Sequence, residues 1–176
     1  MSTYFCREWI ESELLVGKIN PVTKAHFMYN GNVVGEGSVT ATVEYDEANS
    51  MWEVELTITD STTNTYTYNQ IAIIDSSNTT VAIFVFAQAY TKGTGALTVT
   101  EILGIPSSSN PSLVNGVNIG HWAELIANTL VSGGTIPLPN IILVVNQNAQ
   151  TLYQAEFTPS TINFTQSGVQ ETQQIT

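Results

Sequence analysis

The side chains that could do nucleophilic, general-base or metal chemistry are few in this sequence and far apart. One cysteine, Cys6, and two histidines, His26 and His121, are the main candidates. Three such residues are too few for a zinc cage, and a single cysteine excludes an internal disulfide while leaving an intermolecular one open. We therefore expect His26, in an apolar strand, and His121, next to Trp122 at the start of a helix, to be packed or capping residues.

Acidic residues are more numerous and fall into two patterns. Glu53 and Glu55 lie on one strand face that continues as Thr57 and Thr59, which indicates a solvated face rather than an acid/base pair. Other acidic residues lie in turns, where Asp commonly accepts local backbone hydrogen bonds. These are Asp46, Glu47, Asp60 and Asp75. A calcium site built from two such loops is the alternative interpretation.

The motifs that carry most known chemistry do not occur in the sequence. There is no G-x-S-x-G turn, no phosphate-binding loop, no H-E-x-x-H and no EF-hand loop. We therefore predict no catalytic residue, no metal, no cofactor and no enzymatic activity. Two N-glycosylation sequons, at Asn78 ("NTT") and Asn163 ("NFT"), have meaning only if the chain is exported or displayed.

The composition is acidic but mostly uncharged. Four Lys and Arg stand against 15 Asp and Glu, and the net charge of -11 disfavours nucleic acid as a partner. Thr, Ser and Asn number 24, 14 and 15. Hydroxyl groups keep their hydrogen bonds in acid, where carboxylates lose their charge near pH ~4. The surface therefore suits a harsh acidic medium, or it simply follows strand and turn propensities.

Hydrophobic periodicity predicts the fold class. A short amphipathic helix over residues 6–16 ends at Gly17, and its start lacks the basic region of a signal peptide. Period-two patterns then predict six strands. They lie at about 24–30, 38–46, 51–59, 65–74, 80–90 and 96–105. Six strands without intervening helices predict a mainly β, antiparallel β-sandwich of jelly-roll or immunoglobulin-like type.

The second half repeats the order of the first. Residues 106–117 are rich in Ser, Pro and Asn and read as a linker, after which a helix from Asn118 ends at Gly133. Strands follow at about 140–146 and 150–157. We predict a sandwich unit over 1–105, a linker over 106–117 and a partial second repeat over 118–176.

A constant shift of 116 residues aligns the two halves without a gap from Cys6 to Thr42. The identical pairs are Glu8/Glu124, Ile10/Ile126, Leu14/Leu130, Gly17/Gly133, Pro21/Pro137, Asn30/Asn146, Asn32/Asn148 and Thr42/Thr158. This indicates a tandem repeat. The alternative is that two unrelated helix-to-strand connections converged on similar glycine, proline and asparagine positions. A half-sandwich exposes strand edges. It would be completed by a neighbouring subunit, by docking on the first unit or by a chain that continues past Thr176.

The stretch "YTYNQIAIIDSSNTTVAIFVFAQAYTKGTGALTVTEILGI", residues 66–105, resembles strands of structural proteins from archaeal viruses and tailed phages. The tandem plan, low charge and Thr/Asn richness look like the turret, or vertex, proteins of turreted icosahedral archaeal viruses from hot acidic springs. The resemblance implies jelly-roll domains seated on a capsid vertex and assembled into a ring. It transfers no catalytic residue.

The expected function is therefore that of a virion structural protein at the capsid surface or vertex, assembled in the host cytoplasm. Its partners would be further copies of itself, as in a five-fold ring, other capsid proteins and host surface glycans, with no membrane span. One alternative is a cell-surface adhesin or pilus-like subunit completed by donor strands. Another is a carbohydrate-binding jelly roll that uses Tyr66, Tyr68 and Tyr90.

Overall fold

The computed structural model describes residues 2–14, 16–49, 51–106, 113–114, 117–136, 142–147, 150–157, 161–166 and 169–174. The chain is mainly β, built from antiparallel sheets with few helices. Elements are numbered in chain order. The helical ones are α1 (Arg7–Trp9), continued by a π-helical turn (Ile10–Leu14), and α2 (Ile119–Ser132).

Seven strands form the main sheet, in the spatial order β1-β7-β6-β3-β4-β5-β8. They are β1 (Ser2–Phe5), β3 (Val22–Tyr29), β4 (Asn32–Asp46), β5 (Met51–Asp60), β6 (Tyr66–Asp75), β7 (Thr80–Lys92) and β8 (Leu97–Pro106). The six strands predicted over the first half are thereby confirmed. The sequence pattern missed β1 and the first half of β4.

The other strands form small sheets. They are β2 (Lys18–Ile19), β9 (Leu113–Val114), β10 (Val117–Asn118), β11 (Gly134–Thr135), β12 (Ile142–Gln147), β13 (Gln150–Phe157), β14 (Thr161–Gln166) and β15 (Val169–Gln174). β2 pairs with β11, β9 pairs with β10, and β12 to β15 form a meander. The predicted helix that ends at Gly133 and the two strands predicted after it are confirmed.

The main sheet cannot be flat, because the β7–β8 connection is too short. Five strand spacings separate β7 from β8, which in a flat sheet is about 24 Å. The five Cα–Cα steps from Lys92 to Leu97 span at most about 17 Å when fully extended. The sheet must therefore curl until β7 and β8 face each other, which gives a sandwich-like arrangement with the core between its halves.

The bend lies in β4, which changes its partner partway along. Residues 32–38 pair with β3, whereas residues 38–46 pair with β5, and Ser38 is the position that the two ladders share. The β3–β4 ladder also carries a bulge between Phe27 and Met28. Strands that pass from one layer to another through bulges are the usual corners of β-sandwiches. β4 thus belongs to both layers.

Two glycines allow the layers to approach each other at this corner. A Cβ at Gly35 would overlap the Tyr66 ring. At Gly37 it would lie 3.0 Å from both Ile58 Cγ2 and the Thr59 carbonyl oxygen. Any larger side chain at these positions would force the layers apart, so glycine is needed here for space rather than for backbone freedom.

Gly35→Ala is expected to destabilise the fold by about 1–3 kcal/mol, because the added methyl group displaces the Tyr66 ring from its packed position. Gly95→Ala is the matched control, since nothing lies within 4 Å of the corresponding Cβ. Chemical denaturation of both variants measures the difference. Equal stabilities would show that the corner tolerates a side chain.

The core is formed by inward-facing residues of both layers and by the helical segments. Trp9 and Phe5 are fully buried and stack with ring centroids 5.0 Å apart. From α2, Ile126 and Leu130 belong to the same apolar cluster as residues of β5 such as Leu56. The predicted division at 106–117 stays a prediction, and the structure adds that α2 lies in the core of the first unit.

The two helix ends are alike at positions related by the shift of 116. Gly17 has φ 76° and its N–H donates to the carbonyl of Glu13 at 2.9 Å; Gly133 has φ 72° and its N–H donates to Thr129 at 2.7 Å. The short strands that follow pair with each other, Lys18 with Thr135 and Ile19 with Gly134. The shift of 116 residues relates Lys18 to Gly134 and Ile19 to Thr135, so it converts each of these two pairs into the other. The contact therefore has local two-fold symmetry.

Candidate functional site

His26 lies in the middle of β3, half-buried, directly opposite Glu36 of β4. Its Nε2 is 3.2 Å from Glu36 Oε2, and Lys24 Nζ is 3.9 Å from the same oxygen. The Glu36 side chain is well exposed, and exposed ion pairs of this kind contribute little to stability. The side chain of His121 lies outside the described residues.

Glu53 belongs to a group of carboxylates at one end of the β4–β5 ladder. It lies directly opposite Glu44, and Asp46 and Glu55 are close enough to act on it. Burial, followed by the charge of Asp46, raises the pKa of Glu53. The sequence pattern predicted a solvated face, and the structure adds that these carboxylates repel one another across it.

The aspartates predicted to stabilise turns do so. Asp46 accepts from the backbone N–H of Ala48 at 3.0 Å and of Asn49 at 3.3 Å. Asp75 Oδ1 accepts from the N–H of Ser77 at 2.9 Å and of Thr79 at 3.0 Å. These hydrogen bonds confirm the prediction. Glu47 lies exposed in the β4–β5 turn.

Asp60, Tyr66 and Lys92 form a buried polar network at the end of the sheet where β7 turns into β8. The Tyr66 hydroxyl donates to Asp60 Oδ2 at 2.6 Å, and Asp60 Oδ1 accepts from the Thr62 N–H at 2.8 Å. Lys92 is 2 % exposed, and its Nζ donates to the carbonyls of Thr62 at 2.7 Å and Asn64 at 2.9 Å. The network ties the β5–β6 loop to the end of β7.

This network shifts the ionisation of its members. Burial disfavours the Asp60 carboxylate, but hydrogen bonds from Tyr66 and Thr62 outweigh it, so that the pKa of Asp60 is lowered. Burial, together with that hydrogen bond, raises the pKa of Tyr66. A phenol that stays protonated while it donates to a carboxylate is a structural pair, and no proton is free to leave it.

Tyr66→Phe is expected to lower the free energy of unfolding by about 1–3 kcal/mol, because the buried Asp60 carboxylate loses a charge-assisted hydrogen bond. Tyr90→Phe is the matched control, since the Tyr90 side chain is 44 % exposed. Urea denaturation of the two variants gives the comparison. If Tyr90→Phe costs as much as Tyr66→Phe, the Asp60 hydrogen bond contributes little.

The three tyrosines expected to form a sugar platform differ in exposure. Tyr68 is buried, with its ring 5.0 Å from that of Phe27, and Tyr66 is half-buried against Gly35. Tyr90 is exposed and lies edge-on to Phe86, with ring centroids 5.5 Å apart. Two of the three rings are therefore mainly core residues.

The structure brings together one pair that sequence reasoning missed, Glu13 and Asp75. Glu13 lies on the π-helical turn and is 4 % exposed; Asp75 ends β6 and is 1 % exposed. Glu13 Oε1 accepts from the backbone N–H of Asn20 at 2.8 Å and from Asn20 Nδ2 at 2.6 Å. The other oxygens, Glu13 Oε2 and Asp75 Oδ2, are buried and accept from no donor.

The two carboxyl groups are hydrogen-bonding neighbours, and this shifts Glu13. Burial, followed by the hydrogen bond with Asp75, raises the pKa of Glu13 from 4.5 to about 7. Two carboxylates cannot donate to each other, so a hydrogen bond between these groups requires a proton on one of them. Asp75 Oδ1 already accepts three hydrogen bonds from its own turn, so the proton belongs on Glu13.

Of these two residues, only Glu13 could have been recognised as unusual from the sequence. Glu13 follows the buried Trp9 by four residues and therefore lies on the apolar face of the helical segment, where a carboxylate is unusual. Asp75 carries no such signal, since Asp-Ser-Ser is ordinary turn chemistry. Their proximity depends on tertiary structure, more than sixty residues apart in the sequence.

The remaining candidate residues take no side-chain part in these networks, although the Asn78 N–H donates to the Asp75 carbonyl at 3.0 Å. Asn78 is exposed in the β6–β7 turn with φ 66°, while the side chain of Asn163, on β14, lies outside the described residues. Cys6 is a free thiol, and burial raises its pKa to about 12, which makes it a poor nucleophile.

Neither a metal centre nor a membrane helix emerges from the part of the chain that the structure describes. Its His, Cys, Asp and Glu side chains nowhere gather in threes able to hold a metal ion, and none of its helices is long and apolar enough to cross a membrane. Comparison of the chain with protein-family models, curated proteins and solved structures finds no match. The fold thus defines the class alone, a mainly β protein of antiparallel sheets.

Proposed function

We propose that the chain is a virion structural protein, a capsid vertex or turret component of jelly-roll type that acts through contacts between copies of itself at the particle surface. The observation that carries this proposal is the edge of β7 beyond Val85. β1 pairs with β7 only up to Val85, and β6 resumes pairing at Tyr90. Residues 86–89 therefore lie outside both ladders.

This stretch has the properties of a pairing edge. Ala87, Gln88 and Ala89 are exposed, and the Phe86 and Tyr90 rings pack against each other at its two ends. Exposed edges are normally protected by charged side chains or proline, and residues 86–91 contain neither. In a chain of net charge -11, an uncharged edge lets another copy pair here without placing like charges directly opposite each other.

The acidic setting of the proposal is supported by the carboxyl groups. The pKa values of Glu13, Glu53 and Glu101 are all raised, in each case first by burial. Groups of this kind are better tolerated in the folded chain when they are protonated. Together with a surface solubilised by hydroxyls and amides, they suit a particle that meets acid.

The alternatives predict different assemblies. An adhesin or pilus-like subunit would use the same β7 edge to form open filaments, whereas a vertex component forms a closed ring. A sugar-binding module would have to bind its ligand through Tyr90, because among Tyr66, Tyr68 and Tyr90 it has the one exposed ring. Electron microscopy of the native particle or filament separates the first two, and a glycan array tests the third.

Native mass spectrometry of the protein from its natural source is the test of the proposal. It gives the chain mass and the assembly mass in one experiment. A closed ring of identical chains supports the vertex function, and a chain heavier than 19.1 kDa would mean that further strands complete the second repeat. A strictly monomeric chain would overturn the proposal.

Ala89→Lys is expected to abolish the assembly, because pairing of another copy along the β7 edge would have to bury the new charge. Ala48→Lys, in the exposed β4–β5 turn, is the matched control and should leave assembly intact. Both substitutions reduce the net charge of -11 by one, which alone would favour association. Size-exclusion chromatography with light scattering reports the outcome, and unchanged assembly in Ala89→Lys would exclude this edge.

A further inference from the structure

We propose that Glu13 and Asp75 form a one-proton latch, which fixes the N-terminal segment (residues 2–14) on the sheet in acid and loosens it as the pH rises to neutrality. The ligand of this site is the proton itself. The proposal concerns the chain alone and holds whether or not the chain belongs to a virion.

The hydrogen bonds around the two carboxyl groups leave room for a single proton. Glu13 Oε1 is occupied by two donors from Asn20, and Asp75 Oδ1 by donors from Ser77 and Thr79. A proton on Glu13 Oε2 that is donated to Asp75 Oδ2 gives both remaining buried oxygens a partner. Without it, two acceptors and two negative charges face each other out of water, which is costly.

The latch lies where the N-terminal segment meets the sheet. Just before Glu13, the Phe5 and Trp9 rings are fully buried, and the Cys6 N–H donates to the Val81 carbonyl at 2.8 Å. On the other side of the site, the Ser76 N–H donates to the Pro21 carbonyl at 2.9 Å. A second charge at Glu13 therefore acts on the contact that holds residues 2–14 against β6 and β7.

Among the side chains that the structure describes, none that faces Glu13 from a neighbouring element supplies a compensating positive charge. Asn20, before β3, and the hydroxyls of the Asp75 turn are neutral. Lys18 on β2 is exposed, and Lys24 on β3 lies 3.9 Å from Glu36 instead. Asp75 is the charged group that acts on Glu13, and its charge opposes ionisation.

The direction of the pH effect follows from the raised pKa of Glu13. A carboxyl group with a pKa of 4.5 in the unfolded chain and about 7 in the folded chain stabilises the fold fully below pH 4.5. That stabilisation is lost as the pH rises through 7. Asp60, whose pKa is lowered from 3.8, stays ionised throughout this interval, whereas Glu53 and Glu101, whose pKa values are also raised by burial, weaken the fold in the same direction as Glu13.

Glu13→Gln tests the latch, because a glutamine amide can donate to Asp75 Oδ2 and accept from Asn20 at any pH. Hydrogen exchange, corrected for intrinsic rates, is measured for residues 5–14 below pH 4.5 and above pH 7. We expect the native chain to lose at least about tenfold of its protection across this interval, and Glu13→Gln to lose several-fold less, since only the effects of Glu53 and Glu101 remain. Glu8→Gln, exposed on the same segment, should behave like the native chain.

Two results would overturn the latch. One is protection in the native chain that does not change between these pH values, and the other is a loss of protection in Glu13→Gln as large as that in the native chain. Should Glu13→Gln fail to fold, carbon-13 NMR of the Glu13 carboxyl group in the native chain decides directly. A midpoint near pH 7 supports the latch, whereas a midpoint near 4.5 excludes it.

Discussion

The partner switch in β4 is the constraint on which the rest of the structure depends. Because this strand pairs with β3 along its first half and with β5 along its second, it turns one sheet into two facing layers. The turn encloses the core and lets the short β7–β8 connection cross between the layers. It also brings Tyr66 against Gly35, and so assembles the network of Asp60, Tyr66 and Lys92. Without this corner, neither the core nor the network would exist.

Alternation of apolar and polar residues was enough to predict six strands, since each has one face in the core. Asn30 and Gly31, between β3 and β4, are a typical hairpin-turn sequence, and both residues have the positive φ that a tight hairpin requires. β1 is only four residues long and gave no periodic signal. The first half of β4 was missed because Gly35 and Gly37 weaken a strand pattern, although space at the corner is what they provide.

The polar contacts likewise divide into those that local sequence predicts and those that it does not. Turn aspartates bond to residues two to four positions away, so local sequence predicts them. The pairing of Glu13 with Asp75 and the hydrogen bond from Lys92 to the Thr62 carbonyl join segments that are distant in the sequence, and local sequence does not contain that information. The surroundings of the carboxyl groups then set their pKa values. Burial raises the pKa of Glu13, whereas hydrogen bonds outweigh burial at Asp60 and lower its pKa.

The contact between β2 and β11 has a consequence for the origin of the chain. Lys18 meets Thr135 and Ile19 meets Gly134, so positions related by the shift of 116 residues pair with each other, as the predicted tandem repeat would allow. A self-complementary contact of this kind is the type that two separate, identical polypeptides form in a homodimer. Gene duplication and fusion would have preserved it inside one chain, where it no longer depends on concentration and the two sides are free to diverge.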